Sequence, residues 1–276
     1  MFRSPIAALA VCGLVFPSAA SDAALASFID SARGADIVVL GEIHDNPRHH
    51  EIQAEIVEAL QPAAIVFEMI PQAMEDEVNA LRAEGADRAQ IAAALDWSES
   101  GWPSFDFYAP ILEAAPGARI FGAGQAPEEI RIAAEDGAAS AFGADAATYG
   151  LDKPLAPGEL TEREELMAIS HCNALPPAAL PGMVEVQRFR DAGLADAALW
   201  ARTLTGGDGQ VVVITGSGHA DRRWAVPHLI SLATKEVTVR TLGLLEAPEP
   251  EPGMFDAVIT ADPAERDDPC AGFAAK

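Results

Sequence analysis

The chain has 276 residues, 50% of them hydrophobic, enough for one large α/β domain around a proper core and too apolar for general disorder. Its formal charge of −24, from 42 acidic against 18 basic residues, leaves no basic patch of useful size. Nucleic acid and anionic lipid are thereby excluded as natural partners.

Residues 1–20 have the form of a secretory signal. Arg3 gives the positive start, residues 6–16 an apolar run too short to span a bilayer, and Ser18-Ala19-Ala20 a small-residue cleavage site. The expected mature chain starts near Ser21, carries no transmembrane span, and is periplasmic or secreted. Leu9-Ala10-Val11-Cys12-Gly13 is a poor lipobox, with bulky Val11 where a small residue is wanted, which favours a soluble over a lipid-anchored form. Cys172 and Cys270 then remain, either as a disulfide tying down the C-terminal tail or as two free thiols.

Short β-rich runs alternate with longer helical ones, the pattern of an α/β fold with a mostly parallel central sheet flanked by helices. Strands are expected at 36–40, 64–67, 119–121, 210–215, 236–242 and 255–260. Apolar residues at 52, 56, 57 and 60 give residues 49–60 a helical face. Two short helices at 75–83 and 88–95 flank Gly85, and Pro127 suits the first turn of a helix over 127–134. From about 138 to 204 the pattern is Ala-rich, charged and helical, broken by prolines and without a strand. It predicts a helical insert within a single domain over 21–276. APEPEPG at 247–253 reads as a stiff surface linker.

Ligands of open parallel sheets bind beyond the carboxyl ends of the strands. Gly41-Glu42-Ile43-His44 follows the first expected strand, Glu68 the second, Gly122-Ala123-Gly124-Gln125 the third, and Gly216-Ser217-Gly218-His219 the fourth. Glycine lets the backbone turn sharply and approach a ligand, so that a side chain three residues later can aim back over the rim. His44, Glu68 and His219 are therefore expected to converge. Such a set suits a divalent Zn, Mn, Co or Fe ion with an acidified water, with Glu42 as general base or supporting group. Without a metal, Glu42, His44, Glu68 and His219 form an acid–base set. One of His49 and His50, together with His171 and His228, reads as structural.

Trp97, Trp102, Phe105, Phe107 and Tyr108 crowd into twelve residues of a chain only 6% aromatic. The cluster is either core or an apolar slot for a flat ligand, bounded by Trp102, in which Tyr108 would offer a phenolate to haem iron.

The ordered stretches VVLGEIHDNPRHHEIQAEIVEAL, VFEM, W-PSFDFY-APIL, EVQRFRDAGLADAAL, VVVITGSGHADRRWAVPHLI and DPAERDDPC resemble the ChaN-type haem-binding family of the Tiki, TraB and erythromycin esterase superfamily. The resemblance runs from Asp36 to Cys270. It implies an exported bacterial haem-binding protein linked to iron uptake, with an α/β core and a helical insert, and it is compatible with a homodimer. Superfamily relatives include metal-dependent proteases with paired Gly-x-x-His motifs and a glutamate, and esterases with a similar His and Glu site. Those motifs carry over onto Gly41–His44, Glu68 and Gly216–His219, so a metal-dependent hydrolase is the rival expectation. The chain departs from the family pattern at Gln125, where asparagine is expected, and at Leu194, where many relatives have methionine.

Overall fold

The computed structural model describes residues 19–207, 209–246, 253–268 and 270–271. The leader up to residue 18, with Cys12, and residues 247–252 of the proline-glutamate stretch lie outside the described residues. In chain order the elements are α1 (Ala19–Ala32), β1 (Ile37–Glu42), α2 (Pro47–Leu60), β2 (Ala64–Pro71), α3 (Glu75–Glu84), α4 (Arg88–Ala94), α5 (Phe105–Ala114) and β3 (Arg119–Gly124). There follow α6 (Pro127–Asp136), α7 (Ala138–Phe142), α8 (Pro157–Ser170), α9 (Leu180–Leu204), β4 (Val211–Gly216), α10 (Val226–Ala233), β5 (Val239–Leu245) and β6 (Ala257–Thr260).

The six strands form one sheet in the order β3-β2-β4-β1-β5-β6, and every pairing is parallel. All six residues of β1 and of β4 are buried, as expected where helices cover both faces. Successive side chains point to opposite faces. Val38, Leu40, Ile65, Phe67, Val212 and Ile214 pack with residues of α1, α2 and α5. Ile37, Val39, Val66, Val211 and Val213 pack on the other face with residues of α9 and α10.

Local chemistry sets the helix ends. Asn46 caps α2 by accepting from the Arg48 N–H, with Pro47 in the first turn, and Gln61 closes it in the left-handed region at φ 46°. Asp87 and Gln90 form a reciprocal capping box at the start of α4.

One difference from the sequence expectations, and one element they did not assign, bear on the site. The first two strands run further than expected, so Glu42 is the last residue of β1 and Glu68 lies inside β2. Glu68 can sit within a buried strand because both of its oxygens are hydrogen-bonded. The aromatic segment over 105–114 is a helix, α5, with Pro110 inside it. Among the described residues, only helices and turns occupy 127–204, and no helix is long and apolar enough to cross a membrane.

Candidate functional site

β2, β4 and β1 are neighbours at the middle of the sheet, and their carboxyl ends carry the polar centre. The two Gly-x-x-His phrases fit into each other. A Cβ on Gly216 would lie 2.8 Å from His44 Nε2, and one on Gly41 would lie 2.8 Å from both Ala220 Cβ and Ser217 Cα. Each glycine thus makes room for the turn that follows the other strand.

Glu42 is the hub of the β1 side. Its Oε1 lies 2.8 Å from His44 Nδ1 and accepts from the Tyr108 hydroxyl at 3.1 Å. His50 sits behind it, with Nδ1 3.2 Å from Glu42 Oε2 and Nε2 2.9 Å from the His44 carbonyl. The carbonyl only accepts, so His50 donates from Nε2. His44 is the partly open member, its side chain 32% exposed and the Trp102 ring edge-on at 4.9 Å. Burial works against a charge on His44, but its bond to Glu42 and the nearby Glu68 charge outweigh it and raise its pKa.

Glu68 is the hub of the β2–β4 side. Its Oε2 accepts from Thr215 Oγ1 at 2.7 Å and from the Gly216 N–H at 2.8 Å. Its Oε1 accepts from Arg190 at 2.8 Å and faces His219 Nε2 at 3.4 Å, while His44 Nε2 stands 4.0 Å from Oε2. His219 Nδ1 in turn lies 2.6 Å from Asp191 Oδ1 and 3.0 Å from Gln187 Nε2. Burial opposes a charge on His219, yet two flanking carboxylates prevail and raise its pKa to about 9. Burial also opposes charge on Glu68, but His219 and Arg190 hold its carboxyl well below the ordinary range. Asp191 goes the other way, since complete burial pushes its pKa up despite the His219 bond.

The structure therefore brings Glu42, His44, Glu68 and His219 together, with Trp102 beside His44. Tyr108 belongs to the same cluster from beneath: it is 1% exposed, and burial together with the Glu42 charge drives its pKa far up. Sequence reasoning missed Arg190, Asp191, Gln187 and Thr215 and undervalued His50. The signal for three of these was helical spacing, because 187, 190 and 191 fall on one face of α9.

The expected divalent ion on His44, Glu68 and His219 finds no support. Among the described residues no group of three or more His, Cys, Asp or Glu is arranged to hold a metal. The reason is local. Arg190 brings a fixed cation to Glu68 Oε1, and His219 lies between two carboxylates that favour a proton on each ring nitrogen, whereas a metal-bound histidine must be neutral.

A cleft of about 460 Å³ opens beside this centre. Ser217 and Gly218, in the turn that carries His219, and Gln187, which touches His219, form part of its wall. The rest is mostly apolar, with Leu166 and Met167 from α8 facing Leu245, Met254 and Phe255.

The family model described as "Haem-binding uptake, Tiki superfamily, ChaN" matches residues 28–230. Comparison with curated proteins gives no match. Among solved structures, one described as cofacial heme binding to ChaN of Campylobacter jejuni is 20% identical with a TM-score of 0.65, covering 84% of this chain and 90% of that one. The type III effector HopBA1 is 10% identical with a TM-score of 0.49, covering 87% and 94%. At 20% identity the likeness to the first concerns the fold. The family match spans well over half of the sequence, and the chain belongs to the ChaN family of haem-binding uptake proteins in the Tiki superfamily.

Proposed function

We propose that this protein is exported, binds haem in the cleft between α8 and the β5 rim, and serves bacterial haem or iron uptake. The cleft carries this reading. Its volume of about 460 Å³ falls in the ~300–1,000 Å³ span of ordinary small-molecule sites, and its facing aliphatic, thioether and aromatic walls suit a flat apolar macrocycle. Haem fits the residues present: Met167 and Met254 offer thioethers of a type known as iron ligands. A haem bound there would supply redox and oxygen-ligand chemistry, while the chain orients it and keeps water from one face. The disulfide between Cys172 and Cys270 supports an oxidising compartment.

Tyr108 takes a different role in this proposal from the phenolate expected of it. Its hydroxyl is turned inward as a donor to Glu42, so it braces the polar centre and leaves the iron to other ligands. Titrating the purified protein with ferric haem tests the function: a saturable Soret shift is expected. No shift at micromolar haem ends it.

A second reading rests on the open His44 held by Glu42. In it the pair works without metal as a hydrolytic acid–base unit, with Glu42, Glu68 and His219 fixing its geometry. His44 Nε2 takes a proton from water only when deprotonated, so turnover of an ester or peptide panel rises as pH climbs through the raised His44 pKa. A panel without turnover at any pH, repeated with His44→Ala as the control, removes it.

A further inference from the structure

The polar centre turns its nitrogens outward and its oxygens inward. The side chains of Glu42, Glu68 and Asp191 are 0%, 3% and 1% exposed, and both oxygens of Glu68 are already hydrogen-bonded. Those of His44 and Arg190 are 32% and 31% exposed. The two flank one carboxylate, Arg190 Nη2 lying 2.8 Å from Glu68 Oε1 and His44 Nε2 4.0 Å from Glu68 Oε2.

Neither side chain is used up by these contacts. Arg190 makes one hydrogen bond among the described residues, through Nη2, which leaves the other edge of its guanidinium fork for a second acceptor. The Glu42 carboxylate only accepts, so His44 donates to it from Nδ1 at 2.8 Å, and Nε2 becomes a second donor whenever the ring is charged. The 4.0 Å gap to Glu68 is too long for a hydrogen bond. Nε2 thus ends at the opening, with the Trp102 ring edge-on to its imidazole and no acceptor among the described residues.

The net charge of −24 opposes capture of an anion from a distance, but at physiological ionic strength exposed charges more than about 8 Å apart are largely screened. Recognition at the opening is therefore decided locally. A ligand meets one permanent cation and one imidazole there, while the carboxylates of the centre are turned away. Asp45, next to His44 in sequence, is held by Arg266 at 2.7 Å.

We infer that Arg190 and His44 together form a recognition site for a small oxyanion, the phosphate or carboxylate group of a ligand, beyond the carboxyl ends of β1 and β2. One ligand oxygen accepts from the free edge of the Arg190 fork and another from His44 Nε2, with Glu68 behind them keeping both donors in place. Haem in the neighbouring cleft and hydrolysis at His44 are separate questions, and each can fail with the oxyanion site intact.

The test titrates the full chain, its histidine rings labelled with 15N, with inorganic phosphate and separately with acetate at fixed pH, and follows the His44 ring by NMR. A saturable shift is expected, and the anion that saturates at the lower concentration names the group. Sodium chloride at matched ionic strength and the neutral ester trimethyl phosphate should leave His44 unmoved. R190Q should weaken anion binding about tenfold or more, the size of one charge-assisted hydrogen bond, and R190K, which keeps the charge, should recover part of it. Because R190Q also loses the Glu68 ion pair and can fail to fold, the wild-type comparison of each anion with chloride and the neutral ester stands alone as a test. A His44 ring unmoved by either anion up to ~0.1 M, or moved equally by chloride or by the ester, overturns the inference. A folded R190Q that binds as tightly as wild type overturns it as well, since the guanidinium would then take no part.

Discussion

Arg190 and Asp191 are consecutive on α9, yet they clamp opposite ends of one ion pair: Arg190 holds Glu68 at 2.8 Å and Asp191 holds His219 at 2.6 Å. A single helical turn thus fixes the charge state of residues carried by β2 and by the turn after β4. Asp191→Asn keeps the shape and removes the charge. The His219 pKa should then fall from about 9 toward its ordinary value, as followed by the ring resonances in an NMR titration. An unmoved titration would mean that Glu68 alone sustains the imidazolium.

The same pair makes stability depend on pH. His219 titrates at about 9 in the folded chain against an ordinary 6.5. A base whose folded pKa is raised contributes its full stabilisation below the unfolded value and loses it as pH rises through the folded one. The contribution is on the order of 2–4 kcal/mol. Urea unfolding of wild type and His219→Gln should therefore show a stability gap that is widest at about pH 6 and narrows between about pH 6.5 and 9.5. Parallel pH curves for the two proteins would contradict it.

The strands were legible because they are runs of β-branched and aliphatic residues, the central ones buried on both sides, and all six appear within a few residues of expectation. Their ends were not, since Glu42 and Glu68 look like terminators until their partners are known. Glu68 depends on Arg190, 122 residues away, and no local pattern reports that distance. The Gly-x-x-His repetition did report the meeting of His44 and His219, because it encodes two turns that must fit together. The aromatic segment was given no element from the sequence, and Pro110 inside it obscures the helix. Phe105, Tyr108, Ala109 and Leu112 nevertheless follow helical spacing and all face the core, so spacing, weighed above the proline, would have placed Tyr108 inside. Gln125, noted as a departure, packs against Gly193, where a Cβ would lie 2.1 Å from its amide nitrogen, so the two positions are sterically linked.

Gly216→Ala tests the interlocking turns. The added methyl would stand 2.8 Å from His44 Nε2 and 3.7 Å from Glu68 Oε2, so the imidazole must move. Overpacking of this kind costs roughly 1–3 kcal/mol. Chemical denaturation should show the loss, and the His44 resonance should shift with it. A variant as stable as wild type with an unshifted His44 would mean that the turns have slack.

Tyr108→Phe separates bracing from ligation. Removing the hydroxyl leaves Glu42 Oε1 with His44 alone among its hydrogen-bond donors and should cost about 1–2 kcal/mol. The Soret position of the haem complex should stay where it is. A spectrum altered by the variant would return Tyr108 to the iron.

The Cys172–Cys270 bridge, 98 residues apart in sequence, anchors the C-terminal tail to the segment joining α8 and α9. The tail has a second attachment, where Arg266 pairs with Asp45 at 2.7 Å and with Glu246 at 2.6 Å, beside the loop that follows His44. These two ties differ in kind. The Arg266 pairs are partly exposed, with side chains 27% exposed for Arg266, 45% for Asp45 and 10% for Glu246, and together are worth about 1–2 kcal/mol, whereas a bridge closing a loop of this size stabilises by roughly 2–4 kcal/mol, chiefly by constraining the unfolded chain. Reduction, or the double variant Cys172→Ser with Cys270→Ser, should therefore lower the urea midpoint about twice as much as Arg266→Ala does. If all three leave the midpoint equally unchanged, the tail is a passenger on the fold; if Arg266→Ala matches reduction, the ion pairs rather than the covalent tie hold it down.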